Sequence, residues 1–226
     1  MNILTFASRK GGSGKSTLAA HLAAHAHKAS RPCLLIDADP QGSLSLWHQL
    51  RGTGEPEMKL AARGVSQLVA AAKRDGVEWV FIDTPPNMSA VVSDAIAAAT
   101  LVIIPTRPSI FDLTAVKDTI AYSRQLRKPY AVVINGAPAQ REGMEAPIVT
   151  RAREGLGLAR VPVWGGQITN RATYILALDK GEGAKEFDSD SRASTEIARL
   201  WSAIEKSVKA IRGLGEASGA MHRRAA

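Results

Sequence analysis

Residues 9–17 of this 226-residue chain read Arg9-Lys10-Gly11-Gly12-Ser13-Gly14-Lys15-Ser16-Thr17. A β-prone segment, Asn2 to Ala7, precedes this glycine-rich run. An Ala/Leu-rich segment, Ser16 to Ala29, follows it and has the composition of a helix. Glycines between a strand and a helix let backbone N–H groups turn inward around phosphate oxygens, and the helix N-terminus adds the positive end of its dipole. The run therefore predicts a phosphate-binding loop.

Two lysines and a hydroxyl in this loop have the chemistry to hold a nucleoside triphosphate. Lys15 would reach the β- and γ-phosphates, and the Ser16 hydroxyl would ligate Mg²⁺. The common pattern G-x-x-x-x-G-K-[ST] has glycine where this chain has Arg9. The match is instead to K-G-G-x-G-K-[ST], with an additional lysine at Lys10. The nucleotide-binding residues predicted from the loop are Lys10, Gly11, Gly12, Ser13, Gly14, Lys15, Ser16 and Thr17.

Four short runs after the loop are continuous in apolar residues, as expected for strands that are buried on both faces. Helix-length segments such as Ser109–Arg127 and Gly143–Gly155 alternate with these runs, which are Pro32–Ile36, Trp79–Ile82, Leu101–Ile104 and Tyr130–Ile134. Such alternation indicates βαβ units. We therefore predict the α/β class: a single-domain P-loop NTPase with a mostly parallel, twisted sheet and helices on both faces. The domain is expected over residues 1–212, with a flexible C-terminal tail over 213–226.

Carboxylates follow two of the predicted strands. Asp37 and Asp39 come after the second strand, and Asp83 comes after the third. Ligands of open α/β sheets gather at the carboxyl ends of the strands. Asp83 would therefore hold Mg²⁺ through water, Asp39 would orient or activate the attacking water, and Asp37 would support either the Mg²⁺ shell or the loop. A helix cap is the alternative role for any one of them. The predicted metal-binding residues are Ser16, Asp39 and Asp83, and Lys15 and Asp39 are predicted to be catalytic.

A basic amphipathic helix is predicted near the C-terminus, from Ala193 to Arg212. Its apolar residues fall within an arc of about 100° at helical spacing, and they are Ile197, Leu200, Trp201, Ile204, Val208 and Ile211. Basic residues project from the opposite side, and the whole chain has a net charge of +8. Such a face either is an ordinary solvated surface or follows a phosphate backbone without reading bases. The candidate DNA-binding residues are Arg171, Lys180, Arg192, Arg199, Lys206 and Lys209.

Three segments stand in order at the ends of predicted strands: the phosphate loop, then Asp37-Ala38-Asp39-Pro40-Gln41-Gly42, then Phe81-Ile82-Asp83-Thr84-Pro85-Pro86. They resemble the motifs of the deviant Walker ATPases, in particular the ParA partition ATPases. The resemblance adds Lys10 to the predicted catalytic residues. The resemblance covers most of the chain and is strongest over residues 1–110. It implies ATP and Mg²⁺ as cofactors, a weak ATPase that a partner stimulates, and a homodimer in which Lys10 reaches the nucleotide of the other subunit. It also implies that Asn135 and Pro162 contact adenine, although Asn135 before Gly136 fits an ordinary turn almost equally well.

The resemblance further implies that the ATP dimer binds non-specific DNA through its basic C-terminal residues and is released by a ParB-like or cargo adaptor protein. The first strand starts at residue 2 or 3, so we expect a small form of the family without an N-terminal helix-turn-helix domain. The single cysteine, Cys33, fits a reducing cytoplasm, and no apolar run has the length of a membrane span. We therefore expect a cytoplasmic, nucleoid-associated protein without integral membrane association. The cargo stays open: a plasmid, a chromosome, a protein cluster or a microcompartment.

Three other functions are compatible with the loop alone. A MinD-like membrane-surface ATPase shares the motifs but ends in an amphipathic membrane helix, and the stretch from Gly213 to Gly219 has no amphipathic pattern. An iron–sulfur reductase of the nitrogenase type needs paired cysteines, which Cys33 alone does not supply. A ligase of the dethiobiotin synthetase kind would leave Lys10 and the basic helix unexplained. The MinD-like function is therefore the main alternative.

Overall fold

The computed structural model describes residues 1–224, and for Arg63 and residues 215–224 it describes the backbone only. Within that range the chain forms a six-stranded sheet in the order β3-β2-β4-β1-β5-β6, in which neighbouring strands are parallel. The strands are β1 (Asn2–Phe6), β2 (Cys33–Asp37), β3 (Glu57–Leu60), β4 (Trp79–Asp83), β5 (Leu101–Thr106) and β6 (Tyr130–Ile134).

Helices cover both faces of this sheet. The helices are α1 (Lys15–Ala26), α2 (Ser43–Arg51), a 3₁₀ helix (Ala61–Arg63), α3 (Val65–Arg74), α4 (Ala90–Ala98), α5 (Ile110–Gln125), α6 (Pro147–Leu158), α7 (Ala172–Asp179), α8 (Ala184–Phe187) and α9 (Arg192–Arg224). Alternate residues of the central strands face opposite sides: Phe6 and Phe81 pack with α1 and α9, whereas Ile36 and Ile82 pack with α3 and α4. This arrangement confirms the predicted α/β class.

Several elements differ from the sequence prediction. Strand β3 is not predicted from the sequence, because this edge strand carries charged residues and is half exposed. Helix α6 begins at Pro147, not at Gly143, because Glu142 and Gly143 have φ of 51° and 77° and form a turn, and proline favours the first helical turn. Helix α1 ends at Ala26, not at Ala29.

The C-terminal helix is longer than predicted. It runs from Arg192 to Arg224, whereas the sequence prediction ended it at Arg212. Residues 213–224 of the predicted tail are thus helical, and residues 225 and 226 lie outside the described residues. The division into a domain and a tail stays a prediction.

The register of the central strands brings the ends of β1, β2 and β4 side by side. Asp83 is paired with Phe6 on one side and with Asp37 on the other. The residues that follow these strands, including the phosphate loop after β1, therefore meet at one edge of the sheet. This edge carries the candidate site.

Candidate nucleotide-binding site

The phosphate loop connects β1 to α1 and is shaped by two glycines. Gly12 and Gly14 have φ of 69° and 98°, a backbone region that favours glycine, and Gly14 is the N-cap residue of α1. A Cβ atom at Gly14 would lie 2.0 Å from Nδ2 of Asn135. That amide donates a hydrogen bond of 2.7 Å to the carbonyl oxygen of Ser13. Asn135 therefore holds the loop in place, and its contact with adenine stays a prediction.

Lys15 is a buried cation at the base of this loop. It begins α1, is 5% exposed, and lines a cavity of about 360 Å³ together with Asp39 and the loop backbone. Burial lowers the pKa of Lys15, and the negative charges of Asp83 and Asp39 oppose that shift. The predicted loop residues that line the cavity are Gly11, Gly12, Gly14, Lys15, Ser16 and Thr17.

The carboxylates predicted from the strand ends lie near one another and near Lys15, but of the three only Asp39 lines the cavity. Asp37 accepts hydrogen bonds from the backbone N–H and the hydroxyl of Ser45, at 2.9 and 2.6 Å, and from the backbone N–H of Asp39 at 3.1 Å. It thus fixes the turn that leads into α2. Asp39 is half-buried and caps the backbone N–H of Gln41 at 3.0 Å.

Asp83 is fully buried, and neither of its carboxylate oxygens has a partner of hydrogen-bond geometry. Burial raises the pKa of Asp83 to about 7; the neighbouring Ser16 hydroxyl and Lys15 oppose this rise, whereas Asp37 and Asp39 add to it. A buried carboxylate without a partner is costly unless a cation or a proton accompanies it. Asp83 and Ser16 therefore fit a site for Mg²⁺.

The side chains of the described residues do not by themselves form a metal site. Among the described residues, no group of three or more His, Cys, Asp or Glu side chains is placed to hold one. Mg²⁺ keeps several waters and is commonly held by one or two carboxylates together with substrate phosphates. The donor set of Ser16 and Asp83 fits an ion of this kind, brought with a nucleotide.

Lys10 differs from Lys15 in its surroundings. It is exposed and does not line the cavity, and none of the ion pairs among the described residues includes it. The preceding Arg9 forms an ion pair of 2.5 Å with Asp118 of α5. The amino end of the loop is thus attached to α5, while the Lys10 side chain is available to a second molecule.

Pro162 is not brought to the phosphate loop. Its carbonyl oxygen accepts a hydrogen bond from Val132 in the middle of β6, and it lines a separate apolar cavity with Leu200 and Ile204 of α9. The chain after Pro162 reaches the phosphate-loop end of the sheet only later, where the backbone N–H of Ala137 donates a hydrogen bond to the carbonyl oxygen of Ile168. We therefore remove Pro162 from the adenine-binding residues.

The structure adds residues to the site that the sequence patterns missed. Trp47 of α2 and Leu178 of α7 form an apolar wall of the cavity, and no sequence pattern marked them. Arg107, directly after β5, has its Nη2 atom 3.8 Å from where a Cβ on Gly12 would lie. Its position at the carboxyl end of a predicted strand is a signal that could have identified it.

The six candidate DNA-binding residues lie in three different places on the structure. Arg171, Arg192 and Arg199 line one polar cavity of about 300 Å³, between α9 and the segment before α7. Lys206 and Lys209 are exposed farther along α9, and they share its outward side with Arg192 and Arg199. Lys180 lies elsewhere, at the end of α7, with its ammonium 5.0 Å from the centre of the Phe187 ring.

Two acidic residues of α9, Glu196 and Glu205, are already paired with arginines. Glu196 accepts hydrogen bonds from Arg171, Thr169 and Tyr174, and Glu205 pairs with Arg31 at 2.9 Å. Burial would raise the pKa of Glu196, but the hydrogen bonds, above all that of Arg171, outweigh it and the pKa is lowered. Arg171 is therefore committed to Glu196, whereas Arg192, Arg199, Lys206 and Lys209 have no ion pair within the described chain.

Comparison with known proteins identifies the family. A model described as the CobQ/CobB/MinD/ParA nucleotide binding domain matches residues 4–184. The chain belongs to this family. Among curated relatives, the MinD/ParA-type chain is similar to a maintenance of carboxysome distribution protein A of Gloeobacter kilaueensis, with 40% identity over 113 residues. It is also similar to a Protein ParA of Rhizobium radiobacter, with 35% identity over 116 residues.

These two matches cover 49% and 50% of this chain, and the chain spans about half the length of the relatives, 51% and 52%. A solved structure of a McdA variant from Cyanothece in complex with ATP has a TM-score of 0.72 and 18% identity, covering 94% of this chain and 96% of the other. That similarity shows the fold of a MinD/ParA-type P-loop NTPase. Among the described residues, no helix has both the length and the hydrophobicity of a membrane span.

Proposed function

We propose that the chain is an ATP-dependent positioning ATPase of the ParA type. It would form a dimer around bound ATP, bind DNA without sequence preference, and leave the DNA when an adaptor protein stimulates hydrolysis. The observation that carries the proposal is the different placement of two lysines in one loop. Lys15 is buried beside the carboxylates, whereas Lys10 is exposed and outside the cavity. Lys10 therefore has the freedom to reach a nucleotide that a second copy holds.

In this proposal hydrolysis depends on placed charges. Lys15 neutralises the β- and γ-phosphates, and the backbone N–H groups of the loop surround them. Ser16 and Asp83 would hold Mg²⁺, which when bound neutralises charge on the phosphates. Asp39 lines the same cavity and is half-buried, so its carboxylate can orient a water molecule toward the terminal phosphate.

DNA binding is assigned to the outward side of α9. Four basic residues there lack an ion pair in the described chain, and the two neighbouring glutamates are neutralised by Arg171 and Arg31. A face of this kind contacts phosphates without reading bases. One copy offers few such contacts, and a dimer doubles them, so nucleotide-dependent dimerisation would control DNA affinity.

The names of the relatives support a positioning role, since one maintains carboxysome distribution and another is a ParA protein. Within this proposal the chain acts in the cytoplasm on the nucleoid, with a ParB-like or cargo adaptor as its partner. The cargo is a plasmid, a chromosome, a protein cluster or a microcompartment, and an adaptor captured from the native host would distinguish these.

Co-sedimentation with plasmid DNA and with anionic vesicles tests the proposal. The wild-type chain should bind DNA of any sequence with Mg²⁺ and a slowly hydrolysed ATP analogue, and should release it with ADP. Lys15→Ala is the matched control, because it cannot hold the nucleotide and should bind DNA weakly in every condition. Nucleotide-dependent binding to vesicles without binding to DNA would support the MinD-like function. No nucleotide-dependent binding to either would refute the proposal.

A further inference from the structure

A carboxylate lies among the arginines of the polar cavity beside α9. Arg171, Arg192 and Arg199 line this cavity, and Glu196 lines it with them. The side chain of Glu196 is 15% exposed. Among the described residues that line the cavity, no other has a carboxylate. The cavity therefore combines three positive charges with one negative charge.

Hydrogen bonds from three residues hold the Glu196 carboxylate in place. Its Oε1 atom accepts from Nε and Nη2 of Arg171, at 3.1 and 2.8 Å, and from the Thr169 hydroxyl at 2.8 Å. Its Oε2 atom accepts from the backbone N–H of Thr169 at 2.9 Å and from the Tyr174 hydroxyl at 2.8 Å. Thr169 and Tyr174 are buried. Glu196 cannot turn away from Arg171 without leaving these buried donors unpaired, which is costly.

Glu196 and Arg171 cancel each other's charge. Burial would raise the pKa of Glu196, but the hydrogen bonds from Arg171, Thr169 and Tyr174 outweigh it and lower the pKa, so the carboxylate is ionised at neutral pH. Since its partner Arg171 is a permanent cation, the pair adds no net charge to the cavity. Only Arg192 and Arg199 are then left to attract a phosphate there.

The other charged groups near the cavity do not change this balance. Arg153 donates to two backbone carbonyls of the cavity wall, and it is paired with Glu145 at 2.9 Å. Asp188 and Asp190 are exposed in the segment before α9, but neither lines the cavity. Glu196 is thus the acid that lowers the positive charge inside the cavity.

We propose that Glu196 limits the affinity of this protein for DNA by keeping Arg171 from neutralising a DNA phosphate. Each phosphate that a protein neutralises strengthens binding, so one contact fewer makes DNA easier to release. A positioning ATPase needs such release when its nucleotide is hydrolysed. The inference rests on the proposed function for DNA binding itself, and it adds which residue sets the strength of that binding.

Glu196→Gln tests the inference, because glutamine has nearly the shape of glutamate but no charge. Glu57→Gln is the matched control. Glu57 pairs with Lys59 at 3.1 Å on β3, at the opposite edge of the sheet from β6, so this variant also removes one negative charge and frees one cation. DNA binding is measured by fluorescence anisotropy over a series of salt concentrations, with Mg²⁺ and a slowly hydrolysed ATP analogue. The thermal midpoint of each protein is measured alongside.

We expect Glu196→Gln to bind DNA about fivefold more tightly than wild type or better, with a slope of log K against log[salt] that is steeper by about 0.9 for each phosphate gained. Glu57→Gln should bind as wild type does. Arg171→Gln should bind more weakly, because it leaves Glu196 without a counter-charge. The double variant Arg171→Gln/Glu196→Gln should return to the wild-type affinity, because it frees no cation.

A Glu196→Gln variant that binds DNA no better than wild type would overturn the inference, whatever its thermal midpoint, and would leave Glu196 as a structural link between α7 and α9. An equal gain in Glu57→Gln would also overturn it, because net charge would then govern affinity. A gain that persists in the double variant would overturn the role of Arg171. A wild-type chain that binds no DNA with nucleotide would instead refute the proposed function itself.

Discussion

Asp37, Asp39 and Asp83 lie at the ends of two neighbouring strands, yet their surroundings assign them different roles. Asp37 accepts three hydrogen bonds and fixes the turn before α2. Asp39 accepts one hydrogen bond, from the backbone N–H of Gln41, and lines the nucleotide cavity. Asp83 is buried without a partner beside Lys15. Substitution of each aspartate should therefore change a different property.

Asp39→Ala should trap the nucleotide-bound dimer. The substitution removes the carboxylate that we propose orients water, but it leaves Lys15 to hold the phosphates and Ser16 to hold Mg²⁺. We expect ATP affinity near that of wild type, turnover lowered by about 100-fold or more, and DNA binding that persists. Phosphate release and DNA retention are measured side by side. Turnover at the wild-type rate would mean that Asp39 only caps the turn at Gln41.

Asp83→Asn should stabilise the protein when metal and nucleotide are absent. The folded-state pKa of Asp83 is raised to about 7, well above that of an unfolded aspartate. The folded state therefore binds this proton more tightly, and the contribution of Asp83 to stability is lost as pH rises from about 4 to 7. Asparagine has no such charge to bury. Since one pKa unit is worth about 1.4 kcal/mol, the variant should gain roughly 4 kcal/mol over wild type across this range.

Urea unfolding in a chelator, at acidic and at mildly alkaline pH, measures this difference. Wild type and Asp83→Asn should have similar free energies of unfolding near pH 4 and should diverge as pH rises. With Mg²⁺ and ATP the order should reverse, because only wild type retains the carboxylate that would hold the ion. A variant that is less stable than wild type at every pH would contradict the assignment of Asp83 as an unpartnered carboxylate.

Helix α9 has two chemically different sides, one apolar and one basic. Its apolar side packs on the sheet, where the rings of Trp201 and Trp79 meet edge to face at 4.6 Å, as the predicted amphipathic pattern requires. Its outward side carries basic residues, with its acidic neighbours Glu196 and Glu205 already paired. The packing side can therefore remain intact while the charged side is changed.

Reversal of two charges on α9 should abolish DNA binding and preserve nucleotide binding and dimerisation. In the Arg199→Glu/Lys206→Glu variant we expect normal nucleotide binding and dimerisation, because neither residue lines the nucleotide cavity. The slope of log K against log[salt] should fall by about 0.9 in magnitude for each DNA phosphate that the variant no longer neutralises. Lys73→Glu/Arg74→Glu on α3, with the same change in net charge, is the control. If both double variants lose DNA equally, net charge and not α9 governs binding.

Local sequence patterns predict the phosphate loop and the buried strands. The features that they do not predict depend on contacts between residues far apart in the sequence. The glycine run and the apolar runs report on residues close in sequence, so β1, β2, β4, β5 and β6 were predictable. Strand β3 has no apolar run, because Glu57 and Lys59 lie on an exposed edge beside β2. Pro162 was misplaced because its position depends on pairing with Val132. Trp47 joins the site only through the packing of α2 against α7.

At the scale of the whole molecule, a net charge of +8 works against association of two copies. Arg9, Lys10 and Arg107, in or beside the phosphate loop, are exposed basic residues. ATP between two copies would convert this repulsion into attraction. We therefore expect the dimer to depend on nucleotide, and DNA binding to depend on the dimer.

The mass of the chain in solution, with Mg²⁺ and a slowly hydrolysed ATP analogue, shows whether the dimer depends on nucleotide and on Lys10. Light scattering should give a dimer for wild type and a monomer for Lys10→Ala, while a fluorescent nucleotide binds both with affinities within a few-fold of each other. Lys15→Ala should bind no nucleotide and stay monomeric, because the phosphates lose their buried counter-ion. A Lys10→Ala variant that dimerises as wild type does would contradict the cross-interface role of this lysine and, with it, the nucleotide-dependent dimer.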